Sequence, residues 1–86
     1  MFAITENFMP MVEVFKTDVN HRTHANMLVE QIHKAFTGYK ANFDLDDCDR
    51  ILRVKSFNGA VESRGLIELF RTLGFRAEVL PDIIPG

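Results

Sequence analysis

Hydrophobic and polar positions along the chain predict four strands and two helices in a fixed order. Residues 11–17 are rich in β-branched and aromatic side chains, which is typical of a strand. Residues 20–39 place apolar side chains at the i, i+3, i+4, i+7 spacing of an amphipathic helix. Within 40–57 the alternation predicts two strands joined by a polar turn. A second helix is predicted between 59 and 73, and the segment from 75 to 80 alternates again as a last strand.

Capping and breaking residues give the boundaries of these elements. Asn20, or alternatively Asp18, is a suitable N-cap for the first helix, and Gly38 is a natural stop at its end. Gly74 ends the second helix and Pro81 ends the last strand. We therefore expect strands near 11–17, 41–45, 51–57 and 76–80, and helices near 20–37 and 60–73.

The element order β-α-β-β-α-β predicts an α+β ferredoxin-like sandwich. Its antiparallel sheet has strand order 4-1-3-2, and both helices lie on one face. The domain is expected to cover residues 11–80, with tails over 1–10 and 81–86. The second strand, 41–45, and the last strand, 75–80, are expected at the edges of the sheet, where a homodimer could form.

The other face of the sheet is expected to be wet and charged. In this prediction, the third strand places Arg53 and Lys55 between acidic positions on the first and second strands, as a cross-strand charge ladder. The polar positions assigned to this face are Glu13, Asn42, Asp44, Arg53, Lys55, Arg76 and Glu78.

Composition narrows the classes of function. The 86 residues carry a net charge of −2, which argues against nucleic acid as a partner, because nucleic-acid binding calls for a basic stripe. One cysteine cannot form an internal disulfide and indicates a reducing compartment such as the cytoplasm. No stretch has the length of a membrane span, and the first residues lack the pattern of a signal peptide.

The chain resembles the heavy-metal-associated domain, the fold of small copper chaperones and of the N-terminal modules of metal-pumping ATPases. The resemblance covers residues 11–80 and rests on element order, element length and the Gly74-Phe75 pair, which stands where that family carries Gly-Tyr. The family's Cys-x-x-Cys motif lies between the first strand and first helix. At that junction His21 and His24 occupy the two cysteine positions, Val19 the preceding apolar position and Asp18 the place of the family's glycine.

His21 and His24 are therefore the candidate metal ligands. Imidazoles at i, i+3 on a helix are neighbours and can share one ion. Neutral imidazole suits zinc, copper(II) or nickel, whereas copper(I) prefers thiolate. The alternative is two polar residues in an exposed first turn, with His21 also covering the edge of the core. A complete site needs a further ligand, for which Cys48, Asp18 or an aspartate of the turn 44–49 is available.

The turn between the second and third strands is the other notable segment. It contains Asp44, Asp46, Asp47 and Asp49, and its spacing does not match a calcium-binding loop. The simplest interpretation is a solvated hairpin turn. Because this turn and the first strand–helix junction lie at the same end of the fold, the turn could instead supply a carboxylate near His21 or dock a basic partner. Cys48 shares parity with residues 52 and 54, which predicts a part-buried thiol facing the helices.

His33 is expected to be a surface histidine near Glu30, because it lies nine residues past His24 and on the opposite side of the helix. No catalytic constellation and no glycine-rich phosphate loop is present in the sequence, so we expect no enzyme. Two functions remain: metal binding or delivery through His21 and His24, and a metal-free protein-interaction or small-ligand regulatory module.

Overall fold

The computed structural model describes residues 11–80. Four strands and two helices follow one another in the predicted order, and the chain has the α+β ferredoxin-like architecture. The strands are β1 (Val12–Thr17), β2 (Tyr39–Asp44), β3 (Ile51–Ser56) and β4 (Ala77–Val79), and the helices are α1 (Arg22–Ala35) and α2 (Ser63–Thr72). The predicted tails, 1–10 and 81–86, lie outside the described residues.

All neighbouring strands pair antiparallel, in the order β2-β3-β1-β4. This confirms the predicted strand order and places β2 and β4 at the edges. Phe15 of β1 is the central register position, because it lies opposite Leu52 of β3 on one side and Val79 of β4 on the other. Phe43 of β2 then lies opposite Leu52. These four side chains form one row on the face that packs against the helices.

The core lies between that face and the two helices. Burying these apolar side chains is the main force that holds the layers together, because each removes its surface from water. The sheet contributes Phe15, Ala41, Leu52, Val54 and Ala77, and the helices contribute Ala25, Leu28, Ile32, Leu66 and Phe70.

The two helices approach closely at a glycine. A Cβ atom on Gly65 of α2 would lie 3.1 Å from the Phe36 ring at the end of α1. Phe36 stacks in turn on Tyr39 at the start of β2, with ring centroids 5.0 Å apart and ring planes 8° apart. The Tyr39 hydroxyl donates to the Ala60 carbonyl and accepts from the Glu62 amide, so the same aromatic pair also fixes the loop before α2.

Several predicted boundaries are corrected. The N-cap of α1 is His21, not Asn20 or Asp18, and the helix starts only at Arg22. It ends at Ala35, before the predicted Gly38, whose positive φ of 86° turns the chain into β2. As a result, β2 starts two residues earlier than expected, at Tyr39.

The expected position of Glu13 on the wet face is wrong. Glu13 has the same parity as Phe15 and lies opposite Val54, so it stands on the helix side of the sheet. The Ser63 hydroxyl at the start of α2 lies 3.5 Å from its carboxylate and donates to it. The polar partner on α2 explains how a half-buried carboxylate is tolerated there.

The cross-strand charge ladder is also wrong. Lys55 lies between Lys40 and Val12, and Arg53 lies between Asn42 and Val14. With Glu13 on the other face, β1 contributes no carboxylate to the wet face.

Within residues 11–80, none of the helices is long and apolar enough to cross a bilayer.

The burial of α2 can be tested at Leu66 within the helix and at Leu73, the residue at its C-terminal end. Replacing Leu66, which is 0% exposed, by alanine is expected to lower the free energy of unfolding by about 2–5 kcal/mol, because it leaves a cavity under the helix. Leu73→Ala removes a side chain that is 36% exposed and is expected to cost no more than about 1 kcal/mol. Urea denaturation of both variants measures the difference in the free energy of unfolding. Equal losses of stability would contradict the burial of Leu66 beneath α2.

Candidate functional site

Three loops meet at the end of the molecule where β1 finishes. They are the β1–α1 junction (18–21), the β2–β3 turn (45–50) and the α2–β4 loop (73–76). The Thr17 amide donates to the Asp49 carbonyl over 3.1 Å, which joins the first loop to the turn. The Asp18 amide donates to the Arg76 carbonyl, and the Arg76 amide donates to the Asp18 carboxylate over 2.9 Å. The expected proximity of the turn and the junction is therefore confirmed.

The Thr17 hydroxyl is the buried centre of this end. It donates to the Arg50 carbonyl over 2.7 Å and accepts from the Val19 amide over 3.2 Å. Thr17 is 8% exposed and Val19 is fully buried, so the Val19 amide would find no replacement partner in water. Sequence reasoning missed this role, because a threonine at the end of a strand has no pattern that distinguishes it from a surface residue.

His21 and His24 lie on the outer surface of this end, and both are exposed. His21 is the residue before α1 and makes no side-chain cap, and His24 lies in the first turn. Their ring centroids are 5.3 Å apart, with ring planes at 87°. Two imidazoles that share one tetrahedral ion at a metal–nitrogen distance of about 2 Å have centroids roughly 5 Å apart. The separation of the two rings therefore matches that of imidazoles that share an ion.

Phe75 supports the second histidine. Its ring centroid lies 5.3 Å from that of His24, in an edge-on contact. In the sequence, Phe75 contributes only to the family resemblance. No sequence pattern predicts its contact with His24. A hollow of about 440 Å³ lies beside Phe75, lined also by Asp18, Arg71 and Arg76, and neither histidine lines it. The histidine pair is thus a surface site and not the wall of a pocket.

The predicted third ligands are placed elsewhere at this end. The Asp18 carboxylate accepts the Arg76 amide, and Cys48 lies in the β2–β3 turn. In residues 11–80, one group of three potential ligands has its donor atoms within 4.8 Å of one another, and it consists of Asp47, Cys48 and Asp49 without either histidine. The geometry thus supplies two neighbouring imidazoles, and the identity of a third ligand stays a prediction.

Cys48 is exposed, and the prediction of a part-buried thiol facing the helices is wrong. Cys48 would face the helices only if β3 already included that residue, whereas the strand starts at Ile51. Arg50, just before the strand, has a left-handed backbone with φ of 49°. A residue in that region interrupts the alternation of side chains, so the parity of Leu52 cannot be extended back to Cys48.

The aspartates of the turn have a structural task. The Asp47 carboxylate accepts the Asp49 amide over 2.9 Å, and the Asp44 carboxylate accepts the Asp46 amide over 3.3 Å. Such contacts two residues apart are Asx turns, which aspartate forms readily. The interpretation as a solvated hairpin turn therefore accounts for the acidic run.

His33 has a partner that the sequence did not indicate. Its Nε2 atom accepts the backbone amide of Ala41 over 3.2 Å, which ties α1 to the edge strand β2. The side chain is exposed, as expected. This histidine is therefore a suitable reference for experiments on the other two.

Comparison of the chain with protein-family models, with curated proteins and with solved structures finds no match. The site is therefore interpreted from its own geometry.

The Thr17 hydroxyl can be tested with two substitutions of similar size. Thr17→Val leaves the Arg50 carbonyl and the Val19 amide without a partner and is expected to cost about 1–3 kcal/mol of stability. Thr17→Ser keeps the hydroxyl and loses one methyl group, a loss of about 1 kcal/mol. Thermal denaturation compares the stability of the two variants. Faster amide exchange at Val19 in the valine variant alone would show that the loss arises at this amide. Unchanged amide exchange at Val19 in the valine variant would refute it.

Exposure of Cys48 predicts rapid chemistry with a thiol reagent. In the native state it should react at close to the rate of the urea-unfolded chain, because the turn leaves the sulfur open to solvent. Ellman's reagent measures the rate, with Cys48→Ser as the blank. Reaction that begins only on unfolding would show that the thiol is buried.

Proposed function

We propose that the chain binds a divalent transition-metal ion through His21 and His24 and holds it in an exchangeable form. The observation that carries this proposal is the 5.3 Å separation of two exposed imidazole rings at the start of α1. Neutral imidazole suits zinc, copper(II) and nickel. The resemblance to the heavy-metal-associated domain adds support, because both histidines stand at that family's ligand positions.

Two protein ligands leave an ion with open coordination positions. Water fills them in the free protein, and a partner's ligands can replace that water during transfer. Structural metal sites use four protein ligands, so a two-histidine site is suited to exchange and not to stabilising the fold. The bound ion would act as a Lewis acid and cargo, while His21 and His24 hold it and Phe75 limits the rotation of the second ring.

The alternative function is a metal-free protein-interaction or small-ligand regulatory module. A separate observation favours it, namely the cations on the wet face of the sheet, which form no ion pair with any residue of 11–80. The two functions use different residues and do not exclude each other.

Zinc titration followed by the histidine ring signals tests the metal site directly. The signals of His21 and His24 should shift together at one equivalent of metal, and those of His33 should not. The double variant His21→Ala/His24→Ala should lose binding and keep its thermal stability, because neither ring is part of the core. His33→Gln is the matched control and should bind as the wild type does.

The same titration decides on the third ligand. Cys48→Ser and Asp18→Asn each weaken binding only if that residue completes the coordination sphere. Binding should weaken in acid, because protons compete with the metal ion for the imidazole nitrogens. Zinc, copper(II) and nickel that all fail to bind at neutral pH would refute the proposal.

A further inference from the structure

Three cations gather on the wet face at the end of the sheet opposite to the histidines. Lys40 of β2 lies directly opposite Lys55 of β3, and one row further along Arg53 lies opposite Asn42. In a strand pair, directly opposite residues have Cβ atoms about 5 Å apart, and residues two apart on one strand are about 7 Å apart. The three positive charges therefore face solvent within a small area.

No carboxylate of the described residues lies within ion-pair distance of this group. The acidic side chains of the same face are Asp44, which lies opposite Ile51 and diagonal to Arg53, and Glu78, which lies opposite Lys16. Within residues 11–80 the ion pair that forms joins Arg71 and Glu68 on α2. Like charges placed directly opposite each other destabilise a strand pair. The Lys40–Lys55 pair is thus a cost to the free protein that an anion would relieve.

These side chains also surround a space. A hollow of about 250 Å³ is lined by Val12, Lys40, Asn42, Arg53 and Lys55. Its size is just below the range of about 300–1,000 Å³ that is usual for drug-sized ligands. The ligand that fits is therefore small.

An exposed aromatic ring stands next to the hollow. Phe57 is 64% exposed, and the Lys55 ammonium lies 5.6 Å from the centre of its ring. An exposed phenylalanine at the rim gives a flat apolar surface to any ligand that extends past Lys55.

We propose that this cationic hollow, formed by Val12, Lys40, Asn42, Arg53 and Lys55, binds a small molecule through a phosphate or diphosphate group. The guanidinium of Arg53 offers paired donors that match phosphate oxygens, and the two lysines add point charges on either side. The Asn42 amide adds a neutral donor.

A small ligand is favoured over a nucleic acid. Binding along a nucleic-acid backbone needs a stripe of cations, whereas these three are confined to one hollow of a chain with net charge −2. The phosphate group is that of an inorganic ion or of a nucleotide. Phe57 distinguishes these sources, because its exposed ring can be contacted by a ligand that extends past Lys55.

Amide-detected NMR titrations with diphosphate, inorganic phosphate and adenosine monophosphate test this site. With each probe, the amides of Lys40, Arg53 and Lys55 are expected to shift. If nucleotides are the source, the Phe57 signals shift with adenosine monophosphate and not with phosphate. The melting temperature of the wild type should rise with diphosphate, since a ligand that binds the folded state stabilises it.

Two double variants remove the same number of positive charges. Lys40→Ala/Lys55→Ala should weaken diphosphate binding at least about tenfold, the effect of losing one charge-assisted hydrogen bond. Lys16→Ala/Lys34→Ala is the matched control and should leave it unchanged, because Lys16 faces Glu78 and Lys34 lies on α1. Arg53→Gln gives a third, independent variant of the hollow and should also weaken binding.

The proposal is overturned by equal losses in the two double variants, which would show only a general charge effect. It is also overturned if no amide shifts at millimolar diphosphate. Binding of a single-stranded oligonucleotide more tightly than diphosphate would replace the small ligand by a nucleic acid. None of these outcomes depends on the histidines, so this site and the proposed metal site stand or fall separately.

Discussion

One buried hydroxyl determines how the loops at the site end are arranged. The Thr17 side chain joins the start of β3 to the β1–α1 junction, and its amide joins the β2–β3 turn to the same point. Because Val19 is held by that hydroxyl and buried, the backbone that leads into α1 has little freedom. His21 follows two residues after Val19, so this contact holds the backbone next to the candidate histidines. The proposed metal site would thus depend on a residue that touches no metal.

Element type and order were predictable because each element repeats its own pattern several times. The periodicity of α1 and the alternation of β3 survive an error of one or two residues at either end. Details that depend on a single residue were not predictable. Arg50 has a left-handed backbone that breaks the alternation before β3, and the contact between Glu13 and Ser63 joins residues far apart in the chain. The face on which Glu13 lies could have been predicted from its parity with Phe15. Among the site residues, spacing could place both histidines near the start of α1, although His21 lies just before the helix. It could not show that the Asp18 carboxylate accepts the Arg76 amide.

The two proposed sites lie at opposite ends of β1. The cationic hollow includes Val12, and the histidine junction begins after Thr17, five residues further along. At about 3.3 Å per residue this separates the two ends by roughly 17 Å. At that distance, across physiological salt, a bound anion and a bound cation influence each other little. In the two proposals, β1 would present different chemistry at its two ends, so that one small domain could bind two unlike ligands.

The contact between His33 and Ala41 has a consequence for how copies of the chain meet. An edge strand with free amides is a template on which another strand can add, which leads to sheet extension and aggregation. Here a side chain from α1 occupies one of the outward amides of β2, so a second strand could pair there only by displacing the imidazole. The opposite edge, β4, is only three residues long. The fold therefore protects the two edges of its sheet by different means. A side chain blocks an amide of β2, and β4 is too short to pair with much of another strand.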